Sequence, residues 1–353
     1  MRSQSFLIEG KAKLIVEGVF YNPRMKFCRD LDMCVFSAVD SKELLDALAA
    51  SGVRGIRAAL EAGKEVLFND RDPKAVEVIR KNLEINGISA EVFCEEANLL
   101  MRRRHFEHID LDPFGSPSHF VDSACFSARR YLSVTATDTA ALCGSSTSSG
   151  LRKYAAFAVK SDAYHEIGLR MLIGFLCREA TKYEKVVEPI ASWAMEHYYR
   201  VHVGLRRSTS LSAKVYEKVG HVFYCDRCNA KFAVPMGDSR EFCRCGNRLV
   251  AMGPLWLGEL KSVEVVKKAS EVAEGRARKF LDSLAEECDA PTVYNLQRIA
   301  QRLKVNTPKT DEVVERLREM GYEASKTHYC GFCVRTDAEI EEVEKVISSL
   351  RRV

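Results

Sequence analysis

Leu44-Leu45-Asp46-Ala47-Leu48-Ala49 runs directly into Ala50-Ser51-Gly52-Val53-Arg54-Gly55, and this junction decides the fold. A short apolar run bounded by small residues reads as a strand, and the residues that follow, to about Ala62, have the one-sided spacing of an amphipathic helix. Working outward, the same alternation repeats. Glu65-Val66-Leu67-Phe68 reads as a second strand ending in Asn69-Asp70. Pro73 stands where a helix begins, a position that tolerates proline, and Gly87 suits the end of that helix near Asn86. A third strand is expected over Ala90–Cys94, a fourth over His108–Leu111 and a fifth over Leu132–Thr137. They end in Glu95-Glu96-Ala97, Asp112-Pro113 and Asp138 respectively. Strands alternating with helices imply a parallel, doubly wound sheet and therefore an α/β domain.

The chain has 353 residues, which predicts two domains. Its composition, 46% hydrophobic and 29% charged, is that of a globular protein, and no apolar run approaches the ~20 residues that span a bilayer. Met1-Arg2-Ser3-Gln4-Ser5 leads into a charged segment (Glu9, Lys11, Lys13) without the apolar stretch of a signal peptide, so a cytoplasmic protein is expected. A net charge of +4 does not by itself point to nucleic acid. Arg102-Arg103-Arg104, Arg206-Arg207 and Arg351-Arg352 are local basic clusters, equally compatible with solvated surface and with an anionic partner. Thirteen cysteines, an odd number, point to thiols and metal ligands and not to a disulfide framework.

Doubly wound sheets bind ligands at the carboxyl ends of their strands. Gly52 and Gly55 let the backbone turn sharply there, and Asp70, 18 residues past Gly52, is placed to accept the two hydroxyls of a ribose. Glu96-Ala97 would border the adenine. The turn is not G-x-G-x-x-G, and Arg54 within it suits a carboxylate better than a pyrophosphate. Dinucleotide enzymes remain open at this point. After a helix around Ala163–Tyr183, the runs Val186–Ala194 and Tyr198–Leu205 read as a terminal hairpin, with one edge strand antiparallel. That is the arrangement of a Rossmann-like methyltransferase sheet.

The most specific signal is Asp112-Pro113-Phe114-Gly115, at the end of the fourth strand. The exocyclic amine of a base has its lone pair delocalised into the ring and is a poor nucleophile. A carboxylate (Asp112) and the carbonyl of Pro113 can each accept one amine hydrogen, drawing the nitrogen toward tetrahedral geometry. Proline fixes the turn and brings no competing N–H. Phe114 can stack on a base that has left its helix. These three are the candidate catalytic residues, the alternative being a proline-initiated loop over a buried phenylalanine.

Several further stretches accompany this tetrapeptide: Phe20-Tyr21-Asn22-Pro23-Arg24-Met25, Leu45-Asp46-Ala47-Leu48, Gly52-Val53-Arg54-Gly55-Ile56-Arg57, Asp110-Leu111-Asp112-Pro113-Phe114-Gly115-Ser116-Pro117 and Thr135-Ala136-Thr137-Asp138. Together with Gly10-Lys11-Ala12, Leu142-Cys143-Gly144, Leu151-Arg152-Lys153-Tyr154 and Gly253-Pro254-Leu255-Trp256-Leu257-Gly258, the chain closely resembles the Trm1 family, in its compact archaeal form, over nearly its whole length. These are the tRNA guanine-26 N2-dimethyltransferases. The resemblance implies S-adenosylmethionine as methyl donor and tRNA as substrate, methylated once or twice on a guanosine between the D-arm and the anticodon stem. It implies cofactor contacts at Phe20, Arg29, Arg54, Asp70, Glu96 and Ala97, and Asp112 as catalytic carboxylate. Asp46 and Gly52 complete the candidate cofactor-binding set. The family commonly has aspartate where Glu96 stands, which lengthens that contact here.

Cys225-Asp226-Arg227-Cys228 and Cys243-Arg244-Cys245-Gly246 are two close thiol pairs, the spacing of a tetrahedral zinc site. Asn229 and Gly246 follow each pair with residues that tolerate tight turns. Four protein ligands would leave no open position, so the zinc is expected to be structural and to stiffen a basic finger (Arg227, Lys231, Arg240, Arg244, Arg248). Cys330-Gly331-Phe332-Cys333 has no second pair and reads as small hydrophobes in a hairpin, with a redox or metal role as the alternative. Beyond Ser262 the chain becomes helical and charged. A one-faced helix is expected over Thr292–Leu303, then a helix capped by Thr307-Pro308 and ending at Gly321. A β-wing (Tyr322–Ala324, His328–Val334) and a last helix would follow, a winged-helix-like pattern or else a purely structural cap.

The sequence thus predicts a class I (Rossmann-like) methyltransferase domain over 1–217 and a smaller α+β tRNA-binding domain over 218–353, divided into a zinc finger (218–260) and a winged-helix-like module (262–353). No membrane association and no obligate protein partner are expected. A ribosomal RNA or DNA amino-methyltransferase would share the Asp-Pro-aromatic logic, and a catalytically silent nucleic-acid binder would share the C-terminal part.

Overall fold

The computed structural model describes residues 6–195 and 197–350. Arg351 and Arg352, and the first five residues, lie outside them. After a short hairpin (Leu7–Glu9 with Ala12–Leu14) and helix α1 (Lys26–Ala38) come β1 (Glu43–Asp46), α2 (Val53–Ala62), β2 (Glu65–Asn69) and α3 (Pro73–Ile85). Then follow β3 (Val92–Phe93), α4 (Ala97–Arg103), β4 (Phe106–Leu111), α5 (Ser118–Ser127), β5 (Ala128–Ala136), α6 (Tyr164–Thr181), β6 (Lys185–Met195) and β7 (Tyr198–Arg207). The seven strands lie in the order β3-β2-β1-β4-β5-β7-β6. Strands β1 to β5 are mutually parallel.

The predicted alternation is therefore present, with one correction. The antiparallel strand is not at the edge: β7 pairs antiparallel with β5 on one side and with β6 on the other, so β6 at the edge again runs parallel to the first five. A two-strand hairpin appended to a parallel sheet can attach by either arm. Here its second arm, with buried Tyr199, Val201 and Val203, is the one that fits between neighbours. Gly55 explains the closeness of α2 to the sheet, since a Cβ there would collide with the ring of Phe68 on β2.

Past β7 the chain forms a three-stranded antiparallel sheet of β8 (Val219–Tyr224), β9 (Lys231–Pro235) and β10 (Val250–Trp256), with β8 in the middle. Helices α7 (Val263–Val272) and α8 (Gly275–Glu286) follow and bury Val266, Ala269, Leu281 and Leu284 in one cluster with Leu31 and Val35 of α1. The segment entering α7 lies along β6: the Ser262 N–H donates to the Ile190 carbonyl (2.9 Å), and Ser192 donates to the Leu260 carbonyl (2.6 Å).

The last module contains β11 (Val293–Asn295), α9 (Leu296–Leu303), α10 (Thr310–Glu319), β12 (Ala324–Thr327), β13 (Cys330–Thr336) and α11 (Ile340–Ser349), with sheet order β11-β13-β12. A wing hairpin is present, but its strands start two residues later than expected, at Ala324 and Cys330, and the first overlaps the expected Tyr322–Ala324 only at Ala324. The helix expected from Thr292 instead begins at Leu296, because Val293–Asn295 pairs with β13 and Asn295 caps the helix, accepting from the Arg298 N–H (3.2 Å). The following helix starts at Thr310 with Lys309 at its cap, two residues past Pro308. Cys330 and Cys333 are joined in a disulfide, so they are not free small hydrophobes. No helix among the described residues is long and apolar enough to cross a membrane.

Candidate active site

A cleft of about 340 Å³ opens at the carboxyl ends of β1 and β4. Its walls include Phe20, Arg29, Asp46, Arg54, Asp112, Pro113 and Phe114 from the expected set, together with Thr137 and His197. Asp112 follows β4 directly. The turn that carries it is fastened to the end of β5: the Gly115 N–H donates to Thr137 Oγ1 (2.7 Å), and the Thr137 N–H donates to the Gly115 carbonyl (2.9 Å). This fixes the Pro113 carbonyl, which accepts no hydrogen bond among the described residues. Phe114 is 89% exposed and Phe20 59%, and their rings meet edge to face with centroids 6.1 Å apart. The two rings present an exposed aromatic surface beside the carboxylate.

Beneath the cleft lies a lattice of buried charge. Arg54, at the start of α2, pairs through its three guanidinium nitrogens with Asp112, Asp32 and Asp110, the last at 3.1 Å. Arg200 from β7 donates to Asp32 (2.8 Å), Asp110 (2.6 Å) and Thr135 (3.0 Å). Burial pushes the Asp112 carboxyl up, but Arg54 and then Arg200 outweigh it and hold it below the usual carboxylate range. Asp46 goes the other way: burial and neighbouring Asp110 push it well above that range, despite the hydrogen bond it accepts from the Gly55 N–H (3.0 Å). His202 and His108 are buried and held well below the usual histidine range, so both are neutral. Arg29 is equally engaged, gripping Glu9 with two nitrogens (2.7 and 2.5 Å) while Glu9 also accepts from Tyr21 (2.7 Å) and Arg57 (2.9 Å). Burial opposes ionisation of Glu9, yet Arg29 and the others bring it to about 2.

The remaining expected residues border this centre without lining the cleft. Gly52 begins α2 with φ +77°, a left-handed conformation suited to glycine. Asp70 accepts from the Ala50 N–H (2.9 Å) and the Asp72 N–H (2.9 Å), so its carboxylate is fixed at the strand ends. Glu96 caps α4 by accepting from the Leu99 N–H (3.1 Å), with Ala97 buried behind it. Asp32, Arg200, His202 and Glu9 were missed by sequence reasoning. The available signal was a charged residue inside an apolar run, as in Leu31-Asp32-Met33 and Tyr199-Arg200-Val201.

In the finger, the four sulfurs of Cys225, Cys228, Cys243 and Cys245 all lie within 4.8 Å of one another. Cys225 and Cys245 are 3.6 Å apart, Cys228 and Cys243 3.5 Å. A metal about 2.3 Å from four tetrahedral sulfurs sets them about 3.8 Å apart, so the donor set fits zinc. Asn229 and Gly246 take the positive φ expected of each knuckle (63° and 81°).

Strand order, cleft position and a carboxylate-proline-aromatic turn together define a class I, Rossmann-like methyltransferase. The model of the family described as N2,N2-dimethylguanosine tRNA methyltransferase matches residues 3–348, and the chain belongs to that family. It is 61% identical over 341 residues to a tRNA (guanine(26)-N(2))-dimethyltransferase of Archaeoglobus fulgidus, covering 97% of this chain and 98% of that one. An enzyme of the same name from Pyrococcus horikoshii is 37% identical, covering 94% and 95%. The structure of Trm1 from Pyrococcus horikoshii in complex with S-adenosyl-L-methionine superposes with a TM-score of 0.90 at 35% identity, covering 99% of this chain and all of that one.

Proposed function

We propose that this chain methylates the exocyclic N2 of guanosine 26 in tRNA, once or twice, with S-adenosylmethionine as donor. The observation that carries the reading is Asp112, held ionised by Arg54 beside the open Pro113 carbonyl and the exposed Phe114. The named relatives support the choice of tRNA and of guanosine 26.

When bound, the cofactor supplies a methyl group on a positively charged sulfonium. A cleft of this size at the carboxyl ends of β1 and β4 is within the range of small-molecule sites. Phe20, Asp46, Gly52, Asp70, Glu96 and Ala97 are assigned to hold it, Asp70 through the ribose hydroxyls. Arg29 and Arg54 are occupied by carboxylates on this chain, so their assigned role is to set the shape and charge of the wall. Phe114 stacks on the flipped guanine. Asp112 and the Pro113 carbonyl each accept one amine hydrogen, localising the lone pair on nitrogen. Asp112 then takes the proton that the nitrogen sheds and passes it to solvent across its partly exposed side chain.

We assign a structural zinc to Cys225, Cys228, Cys243 and Cys245. Residues 1–217 are taken as the catalytic unit and 218–353 as the part that grips tRNA, largely through phosphates. We assign the enzyme to the cytoplasm. The test is incubation with labelled S-adenosylmethionine and tRNA transcripts, with and without the target guanosine, followed by mass spectrometry of nucleosides. N2-methylguanosine from wild type and none from Asp112→Ala is expected. Equal incorporation by both, or none by wild type, overturns the reading.

A further inference from the structure

We infer that Arg200 is a positioning residue for the reaction: although it does not touch Asp112, it occupies Asp32 and Asp110 so that Arg54 can stay aimed at the catalytic carboxylate. This rests on the function proposed above. Three carboxylates, Asp32, Asp110 and Asp112, converge on two buried guanidinium groups, Arg54 and Arg200; Asp32 and Asp110 are sealed from water, while Asp112 opens on the cleft. Arg54 meets all three. Arg200 meets only the two deeper ones, and its third nitrogen is fixed on Thr135. His202, held neutral, lies with Nε2 3.1 Å from Asp32 without bonding it, and its Nδ1 is 2.7 Å from Ser133 Oγ.

Without Arg200, one guanidinium would serve three carboxylates, two of them fully buried. Asp32 and Asp110 sit deeper than Asp112, where charge interactions are less screened, and would draw Arg54 away from the cleft. Asp112 would then lose its partner and hold its proton more tightly. The groups facing Asp112 are Arg54 on α2, Asp110 on β4, Asp46 on β1, Thr135 and Arg200 on β5 and β7, and Asp32 and Cys28 on α1; Asp70 lies at the end of β2. Among them Arg54 and Arg200 are the positive charges. Arg200 also lowers Asp112 directly through its charge, so the variant that keeps this charge while changing the geometry, Arg200→Lys, isolates the positioning role.

The experiment compares wild type, Arg200→Met and Arg200→Lys as full-length proteins. The readouts are kcat against pH at saturating S-adenosylmethionine and tRNA, and the 13C carboxyl titration of Asp112, assigned by its absence in Asp112→Asn. In Arg200→Met, kcat is expected to fall at least tenfold, with little change in KM for tRNA. The acidic limb and the Asp112 midpoint should both move up by about one unit or more. Arg200→Lys, which keeps the charge but lacks the planar fork that reaches Asp32, Asp110 and Thr135 together, should show a smaller shift of the same sign, and it carries the test alone if Arg200→Met does not fold. An Asp112 midpoint unchanged from wild type in the folded variant overturns the inference while leaving the methyltransferase reading intact. Absence of methylation by wild type overturns that reading instead.

Discussion

Asp112 and Phe114 are neighbours with separable jobs. Asp112→Asn keeps the shape but replaces one acceptor with an amide, so kcat is expected to fall by about 10²- to 10⁴-fold with little change in tRNA affinity. Phe114→Ala removes an exposed ring that makes few contacts of its own, so folding should be unaffected. Stacking on a base is worth about 1–3 kcal/mol, so kcat/KM for tRNA should drop by about 5- to 150-fold. Steady-state kinetics with a single tRNA transcript distinguish the two, and a Phe114→Ala enzyme with wild-type kcat/KM would remove the ring from the mechanism. Both residues were legible in the sequence because their chemistry is contiguous. Asp32 and Arg200 were not, since the pair is separated by 168 positions and joins only when β7 is inserted against β5.

At the scale of elements, the glycine turn before α2 and the cysteine knuckles were readable because local geometry alone demands those residues. The strand Val293–Asn295 was not: its side chains fit a helical face equally well, and pairing with β13, 38 or more residues later, decides the matter. Gly55→Ala would favour an isolated helix, yet it drives a methyl group into Phe68, so a loss of about 1–3 kcal/mol is expected in denaturant unfolding. An unchanged midpoint would mean that α2 can shift away from β2 at no cost. Chelation of the metal, or Cys228→Ser, should lower the melting temperature and weaken tRNA binding while S-adenosylmethionine affinity is retained. Metal analysis showing no zinc in freshly purified protein would contradict the assignment.

Over the whole molecule, one contiguous cluster of buried side chains runs from Leu45 in the sheet through Trp256 to Cys333. The polar counterpart is the group around Glu166 on α6. It pairs with Arg170 (2.7 Å) and with Arg335 of β13 (2.6 Å) and accepts from Tyr329 (2.6 Å), while Arg335 also holds Glu287 (2.9 Å). Burial opposes ionisation of Glu166, but Arg335 and Arg170 bring it to about 2. A folded value depressed below an unfolded one near ~4.5 contributes stability that is present above pH ~4.5 and lost as pH falls toward 2. The contribution is about 3 kcal/mol. Arg335→Met should therefore reduce stability at neutral pH and flatten the acid limb of the stability profile between pH ~5 and ~2, measured by urea unfolding across that range.

The hydrogen bond from the Ser262 N–H to Ile190, and that from the Ala194 N–H to His328 Nε2 (3.1 Å), have a consequence for solution behaviour. Both lie on the outer side of β6, where an uncovered strand is a template for pairing with another chain. The C-terminal segment thus shields the sheet from self-association. A chain shortened to residues 1–217 would present that strand bare, and light scattering should find it aggregating at concentrations where the full-length protein stays dispersed.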